Sequence, residues 1–167
     1  YLHATTQMLS TFQTKVTPYG YMENARGELE PLQTIVTESD DKLATFLRAT
    51  PIVILMNGGS ASASEVFAAA LKKWEAATII GEKSFGKGTV QETWPLSNGG
   101  EMKLSTHKWL TLDREWIHHK GITPHIEQSA HPLQQVQLKI ITQDYTIGDF
   151  SEDIAYVQQV LDAIGYT

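Results

Sequence analysis

The 167-residue sequence contains no cysteine. That excludes disulfides, Cys-ligated zinc, iron–sulfur clusters and a cysteine nucleophile, and it selects no compartment. Basic residues are in deficit: 13 Lys+Arg stand against 19 Asp+Glu, a net charge of −6. A nucleic-acid binder needs a basic stripe to neutralise phosphates, so that class is set aside. No apolar run approaches the roughly 18 residues that span a bilayer. No basic segment followed by an apolar stretch opens the chain, so no signal peptide is read in it. No H-x-x-x-H spacing occurs, which argues against a metal site, and no cofactor is expected. What is present is 41% apolar and 19% charged residues, enough to pack one domain, or one domain plus a fragment.

Leu2, the Thr5-Thr6 pair and Leu9 recur at helical spacing with no N-cap ahead of them. The expectation is a helix already under way at Tyr1, in a chain processed or cut inside a fold. Residues 14–37 alternate short polar and β-branched stretches, with Pro18-Tyr19-Gly20 as a turn signal and Asn24-Ala25-Arg26-Gly27 as a hairpin turn. Ser39-Asp40-Asp41 and Ala49-Thr50-Pro51 bracket a short helix or turn. Ile52-Val53-Ile54-Leu55-Met56 is apolar without alternation, the pattern of a strand buried on both faces. A Gly/Ser loop, an Ala-rich helix over about 63–75 and a second apolar strand, Ala76-Ala77-Thr78-Ile79-Ile80, follow. Strand, loop, helix, strand is a βαβ unit, so the core is α/β. Two further strands, 89–96 and 101–110, join through Ser97-Asn98-Gly99-Gly100. From residue 144 the texture changes. Ile154, Val157, Val160, Leu161 and Ile164 have helical spacing, with Gly165 as a stop.

Two motifs are decoys. Gly81-Glu82-Lys83-Ser84-Phe85-Gly86-Lys87 matches seven positions of a P-loop, but Gly88 stands where Ser or Thr would hold Mg²⁺. The segment that follows is β-rich and contains Pro95, not the helix whose N-terminus would face a phosphate. Ser84-Phe85-Gly86-Lys87 matches S-x-x-K, yet the glycines favour a loop where that motif needs a helix.

Ser62 sits in a near match to a nucleophile elbow: Gly58-Gly59-Ser60-Ala61-Ser62, between a buried strand and a helix. Ser62-Ala63-Ser64-Glu65 is also a capping box, and on this tetrapeptide alone the cap is the stronger reading. A helix N-terminus nonetheless offers free N–H groups that stabilise a developing oxyanion. A nucleophile there still needs a base. His118-His119 read as surface residues, His107 lies in an alternating strand, and His3, His125 and His131 show no partner spacing. Lys87, between Gly86 and Gly88, is the better candidate; taken alone it also reads as a solvated loop lysine. A lysine acts as a base only as the neutral amine, about one molecule in a thousand near pH 7.4 at the reference pKa of about 10.4. Reaching about 7–8 by burial takes about 3 to 4.5 kcal/mol. Phe85 and Trp94 are expected as apolar walls, and Gln91 as a residue that orients the amine.

Asn57-Gly58-Gly59-Ser60-Ala61-Ser62-Ala63-Ser64-Glu65, together with Ile80 to Gln91, resembles the carboxyl-terminal processing (tail-specific) proteases. Lys103-Leu104-Ser105-Thr106 and Lys120-Gly121-Ile122-Thr123-Pro124 are similar to that family's strand and its K-G-I-x-P stretch. The resemblance covers about residues 1–127. It implies Ser62 as nucleophile, Lys87 as general base, Gln91 as the residue that positions it, and the N–H of Ala63 as one oxyanion donor. It implies a metal-free serine endopeptidase that cuts protein substrates near their C-termini through an acyl-enzyme, on a crotonase/ClpP-like βαβ core with added strands. It also implies a bacterial, extracytoplasmic setting. In that family a PDZ domain precedes the core, and an N-P-G-G turn supplies the second oxyanion donor just before a helix like Tyr1 to Leu9. Neither is found here, so weak or no activity is expected of this chain by itself, since one lost donor costs about 10²–10³ in rate.

The expected organisation is a protease core over 1–127, a connector over 128–143 and a helical module beginning in 144–167. Asp149 to Tyr166 resembles the opening of a peptidoglycan-binding helical domain, which makes peptidoglycan a further candidate partner; an amphipathic helix packed on the core is the alternative. A non-catalytic scaffold docking protein or cell-wall partners is the second functional hypothesis, and nucleotide binding the third.

Overall fold

The computed structural model describes residues 2–36, 41–130 and 139–166. His131, Tyr1 and Ser39-Asp40 lie outside the described residues. The chain divides into two compact units, Tyr1–Gln128 and Ser129–Thr167.

The first unit is built around a βαβ element, in an α/β fold. β3 (Val53–Met56) leads through a loop into α3 (Ala63–Lys73), which returns to β4 (Thr78–Gly81). β3 and β4 are parallel, Val53 opposite Thr78 and Met56 opposite Gly81, and β7 (Ile126–Glu127) extends the sheet in parallel beyond β4. Alanine dominates α3 because it is the best helix former and lets neighbours approach closely. Lys72 and Lys73 complement the negative end of its dipole. Its inner face carries Val66, Ala69, Ala70 and Leu71 into a core shared with Leu9, Ile79, Ile117 and Ile122.

A second sheet is antiparallel, in the order β2-β1-β6-β5. It comprises β1 (Pro18–Asn24), β2 (Leu29–Gln33), β5 (Thr89–Pro95) and β6 (Glu101–Leu110). Helix α1 (Leu2–Ser10) packs on α3, and α2 (Asp41–Ala49) fills the expected helical stretch before β3.

Two expectations are corrected. The β3 run is not buried on both faces: Met56 is buried, but Val53 is 54% and Leu55 80% exposed. An unbroken apolar run records how apolar a strand is, not which side is covered. Pro18-Tyr19-Gly20 is not a turn but the start of β1, where proline is tolerated because a first strand residue need not donate; a register irregularity between Pro18 and Gly20 absorbs the strain. β2 ends at Gln33, so Thr34, Ile35 and Val36 lie outside it. Beyond it one more backbone bond forms, Thr34 N–H to Thr17 O at 2.9 Å, and side chains add to it: Thr17 N–H donates to the buried Thr34 hydroxyl at 2.8 Å, and Ile35 N–H to Ser10 Oγ at 2.9 Å.

In the second unit, α4 (Glu152–Ala163) forms where the helical spacing places it, capped by Ser151, whose hydroxyl accepts from Ile154 N–H at 3.2 Å. None of its residues is buried. Among the described residues no helix is long and apolar enough to cross a membrane.

Candidate active site

The loop after β3 is drawn tight by its own polar groups. Asn57 Oδ1 accepts from Gly59 N–H at 2.9 Å, and Asn57 O from Ser60 N–H at 2.9 Å. The chain then enters α3 through Ser62 at φ 59°, ψ −117°. A non-glycine residue in that region costs about 1–3 kcal/mol and persists only where its surroundings impose it. A sharp strand-to-helix turn of this kind lifts a serine hydroxyl clear of the backbone.

The capping box is present, but it is asymmetric. Glu65 reaches back to Ser62 N–H at 2.8 Å. In the other direction Glu65 N–H makes its short bond to the Ser62 carbonyl, at 2.9 Å, and the Ser62 hydroxyl makes no full side-chain cap bond. The hydroxyl is therefore tied to the helix only by a loose capping-box contact with Glu65 N–H. Ala63 N–H, at the first helical position, has no hydrogen-bond partner among the described residues.

Glu65 does more than cap. Its side chain is fully buried, and its carboxylate accepts four hydrogen bonds. Oε2 takes Ser62 N–H and Lys87 N–H, both at 2.8 Å; Oε1 takes Ser84 O–H at 2.5 Å and Gly86 N–H at 2.6 Å. A buried carboxylate is tolerable only when so fully satisfied. One side chain thus ties the turn carrying Ser62 to the loop carrying Lys87. Phe85 N–H, donating to Ser60 O at 2.9 Å, adds a second tie.

That loop turns as its glycines require. Gly86 lies at φ +86°, and a Cβ there would stand 2.7 Å from Gly121 N. Lys87 is half-buried, and its amine makes no hydrogen bond or ion pair among the described residues. Gln91 follows on β5, just past a register shift between Val90 and Gln91 of the kind that re-aims a side chain.

Ser62, Ala63, Lys87 and Gln91 line one cleft of about 360 Å³. Its apolar walls are Leu2, Val66, Val90 and Trp109. The expected walls are wrong: Phe85 is 61% exposed, and neither it nor Trp94 lines the cleft. Val90 comes from β5, close to Lys87 in sequence; the other walls come from α1, α3 and β6, segments distant from it. Trp109 is almost fully buried, and its indole N–H has no partner among the described residues. Lys103 stands at the same cleft. No hydrogen bond joins the Gln91 amide to the Lys87 amine.

The histidines that are described stand elsewhere. His125 Nδ1 accepts from Ile79 N–H at 2.9 Å. His107 contacts Thr106 Oγ1 at 2.9 Å and Glu92 at 3.9 Å. His118 is not the free surface residue expected: it is half-buried, stacks between Trp116 and His119, and its Nδ1 faces Gly88 N–H at 3.4 Å. None of these lines the cleft. Both decoys also resolve. The segment after Gly88 is a strand, and the Ser84 hydroxyl is buried and spent on Glu65. Among the described residues no cluster of three or more His, Asp or Glu could hold a metal ion.

The profile of peptidase family S41 matches residues 1–128. The chain belongs to this family. Its S41 relatives include the carboxy-terminal processing protease CtpA of Bacillus subtilis (strain 168), 40% identical over 116 residues, covering 70% of this chain and 25% of that protein. CtpB of the same organism is 33% identical over 172 aligned positions, 99% of this chain and 33% of that protein. Among solved structures, the photosystem II D1 C-terminal processing protease superposes with a TM-score of 0.65 at 26% identity, over 80% of this chain and 32% of that one. The chain therefore spans a quarter to a third of the length of the curated relatives it matches. S41 membership and these neighbours agree with the α/β core.

Proposed function

We propose that the chain carries the catalytic dyad of a serine endopeptidase, Ser62 as nucleophile and Lys87 as general base, acting on protein substrates near their C-termini. The observation that carries this is one cleft lined by Ser62 on a strained turn, by Lys87, and by Ala63 at a helix start, with the Lys87 amine and the Ala63 N–H unpaired among the described residues. As the scissile carbonyl settles there, Lys87 Nζ takes the proton from Ser62 Oγ. Oγ bonds to the carbonyl carbon, and the oxygen that gains charge is held by Ala63 N–H at the positive end of α3. Collapse breaks the C–N bond, and the lysine returns its proton to the departing amine. Water, deprotonated by the same amine, then releases the acyl group from Ser62. Gln91 borders the path of the amine and orients it once substrate fills the cleft. The apolar walls serve the reaction: a peptide seated against Leu2, Val66 and Val90 excludes bulk water from the cleft.

The extracytoplasmic setting belongs to the same proposal, by analogy with bacterial relatives. A non-catalytic scaffold would need none of these groups free. In the intact protein, Ser62→Ala and Lys87→Ala are each expected to lower turnover of fluorescein-labelled casein by about 10⁴ or more, with thermal unfolding nearly unchanged. Wild-type turnover by either variant contradicts the dyad, and a wild-type protein with no turnover of any protein substrate favours the scaffold.

A further inference from the structure

We propose that Ser84 is a positioning residue for Lys87, acting through Glu65; this rests on the dyad reading. Oε2 of Glu65 bridges the backbone N–H groups of Ser62 and Lys87, both at 2.8 Å, so the orientation of that carboxylate sets how the nucleophile's turn and the base's loop face each other. The terminal torsion of a glutamate is intrinsically broad, so something else must fix it. The partners of Oε1 do so, and they are not equivalent. Gly86 N–H belongs to the loop being positioned and moves with it. The Ser84 hydroxyl is anchored outward: it accepts from Ile122 N–H at 2.6 Å while donating to Glu65 at 2.5 Å.

The anchor is itself rigid. Ser84 N–H donates to Ile122 O at 3.1 Å, so Ser84 and Ile122 are joined through both backbone and side chain. Gly121 sits against Ser84 so closely, at φ +69°, that a Cβ would lie 2.2 Å from Ser84 O. His119 N–H closes the far side on Gly86 O at 2.9 Å. Ile122 is a core residue, 7% exposed. A chain of hydrogen bonds therefore runs from the core at Ile122, through the Ser84 hydroxyl and the Glu65 carboxylate, to the amide of Lys87. It gives the Lys120-Gly121-Ile122-Thr123-Pro124 stretch a role in the reaction although none of those residues lines the cleft.

A serine that only satisfies a buried N–H would affect stability alone. A positioning serine affects the chemical step, because a misplacement of about 1 Å can cost about 10²-fold in rate. The test is steady-state hydrolysis of fluorescein-labelled casein by intact wild-type, Ser84→Ala and Ser84→Thr proteins across pH, alongside thermal unfolding. For folded Ser84→Ala, kcat is expected to fall by about 10² with KM changed by less than about threefold. The pH profile of kcat, which reports the groups acting in the enzyme–substrate complex, changes in the same variant. Ser84→Thr, which keeps the hydroxyl, restores both. Wild-type kcat and pH profile in Ser84→Ala, whatever the change in unfolding temperature, overturns the proposal. So does a loss fully accounted for by the unfolded fraction. If Ser84→Ala does not fold, Ser84→Cys is read by the same criteria. Ser62→Ala and Lys87→Ala in the same assay separate the two readings: if they are dead and Ser84→Ala is wild-type, only the positioning role fails; if they turn over normally, the dyad fails.

Discussion

Two sides of the same turn differ in how their polar groups are used. Behind Ser62, the Glu65 carboxylate accepts four hydrogen bonds, and the Ser84 hydroxyl both donates and accepts. In front, Ala63 N–H, the Lys87 amine and the Trp109 indole N–H are without partners among the described residues, and the Ser62 hydroxyl has at most a loose capping contact. Paired buried groups hold geometry, while unpaired groups beside a cleft remain available to a substrate. The contrast assigns the holding of geometry to the back and the reacting groups to the front: substitutions at the back should lower stability, with turnover following where the geometry shifts, whereas substitutions at the front should lower turnover alone.

The largest stability effect is expected at the back. Glu65→Ala removes the acceptor for three N–H groups and one hydroxyl, which corresponds to about 3–5 kcal/mol and a fall in unfolding temperature of about 10 °C or more. A calorimetric scan within about 2 °C of wild type would break the comparison. Gly121→Ala comes next. It forces a side chain onto Ser84 O, at 2.2 Å, in a left-handed conformation, and about 1–3 kcal/mol of strain is expected together with a loss of turnover. At the front the pattern reverses: Gln91→Ala should lower kcat about tenfold while stability stays within about 0.5 kcal/mol. A variant that unfolds early yet turns over normally would mean that Gln91 supports the sheet and not the base.

The smallest effect lies in the second unit and sharpens the point by contrast. There the Lys139 amine donates a hydrogen bond to Asp153, holding its carboxyl below the usual range, and Tyr145 O–H, donating to Asp153 at 2.6 Å, acts in the same direction. The same hydrogen bond pushes Lys139 up. Asp153 therefore contributes stability that is present above its unfolded value, about 3.9, and is lost as pH falls through the lower folded value. Lys139 contributes below about 10.4 and loses its part as pH rises through the higher folded value. Lys139 is exposed and Asp153 half-buried, so solvent reaches the pair and added salt should weaken the effect. Backbone NMR of α4 during acid titration should show the loss in wild type and a flatter response in Asp153→Asn. Equal acid responses would remove the ion pair from the account.

Much of the front of the site was legible because it is local. The turn at Ser62, the helix start at Ala63, the glycine-flanked Lys87 and the strand carrying Gln91 each follow from a short stretch of sequence, and the family resemblance supplied their proximity. The back was only half legible. A capping box predicts that Glu65 reaches Ser62 N–H, and nothing local predicts that the same carboxylate also takes Ser84, Gly86 and Lys87. The walls were missed for the same reason: Leu2, Val66 and Trp109 reach the cleft by tertiary packing, whereas Phe85 and Trp94 are merely near Lys87 in sequence. The open face of β3 escaped because a run of apolar residues looks the same whether one or both sides are covered.

The central claim is that Lys87 activates Ser62 for acyl transfer. It is tested most directly by mass spectrometry of the intact protein mixed with a peptide activated ester and quenched during turnover. The account predicts an acyl group on the tryptic peptide containing Ser62, absent in Ser62→Ala and formed at least about 10²-fold more slowly in Lys87→Ala. An acyl group on any other residue, or equal rates of acylation with and without the Lys87 amine, would contradict it.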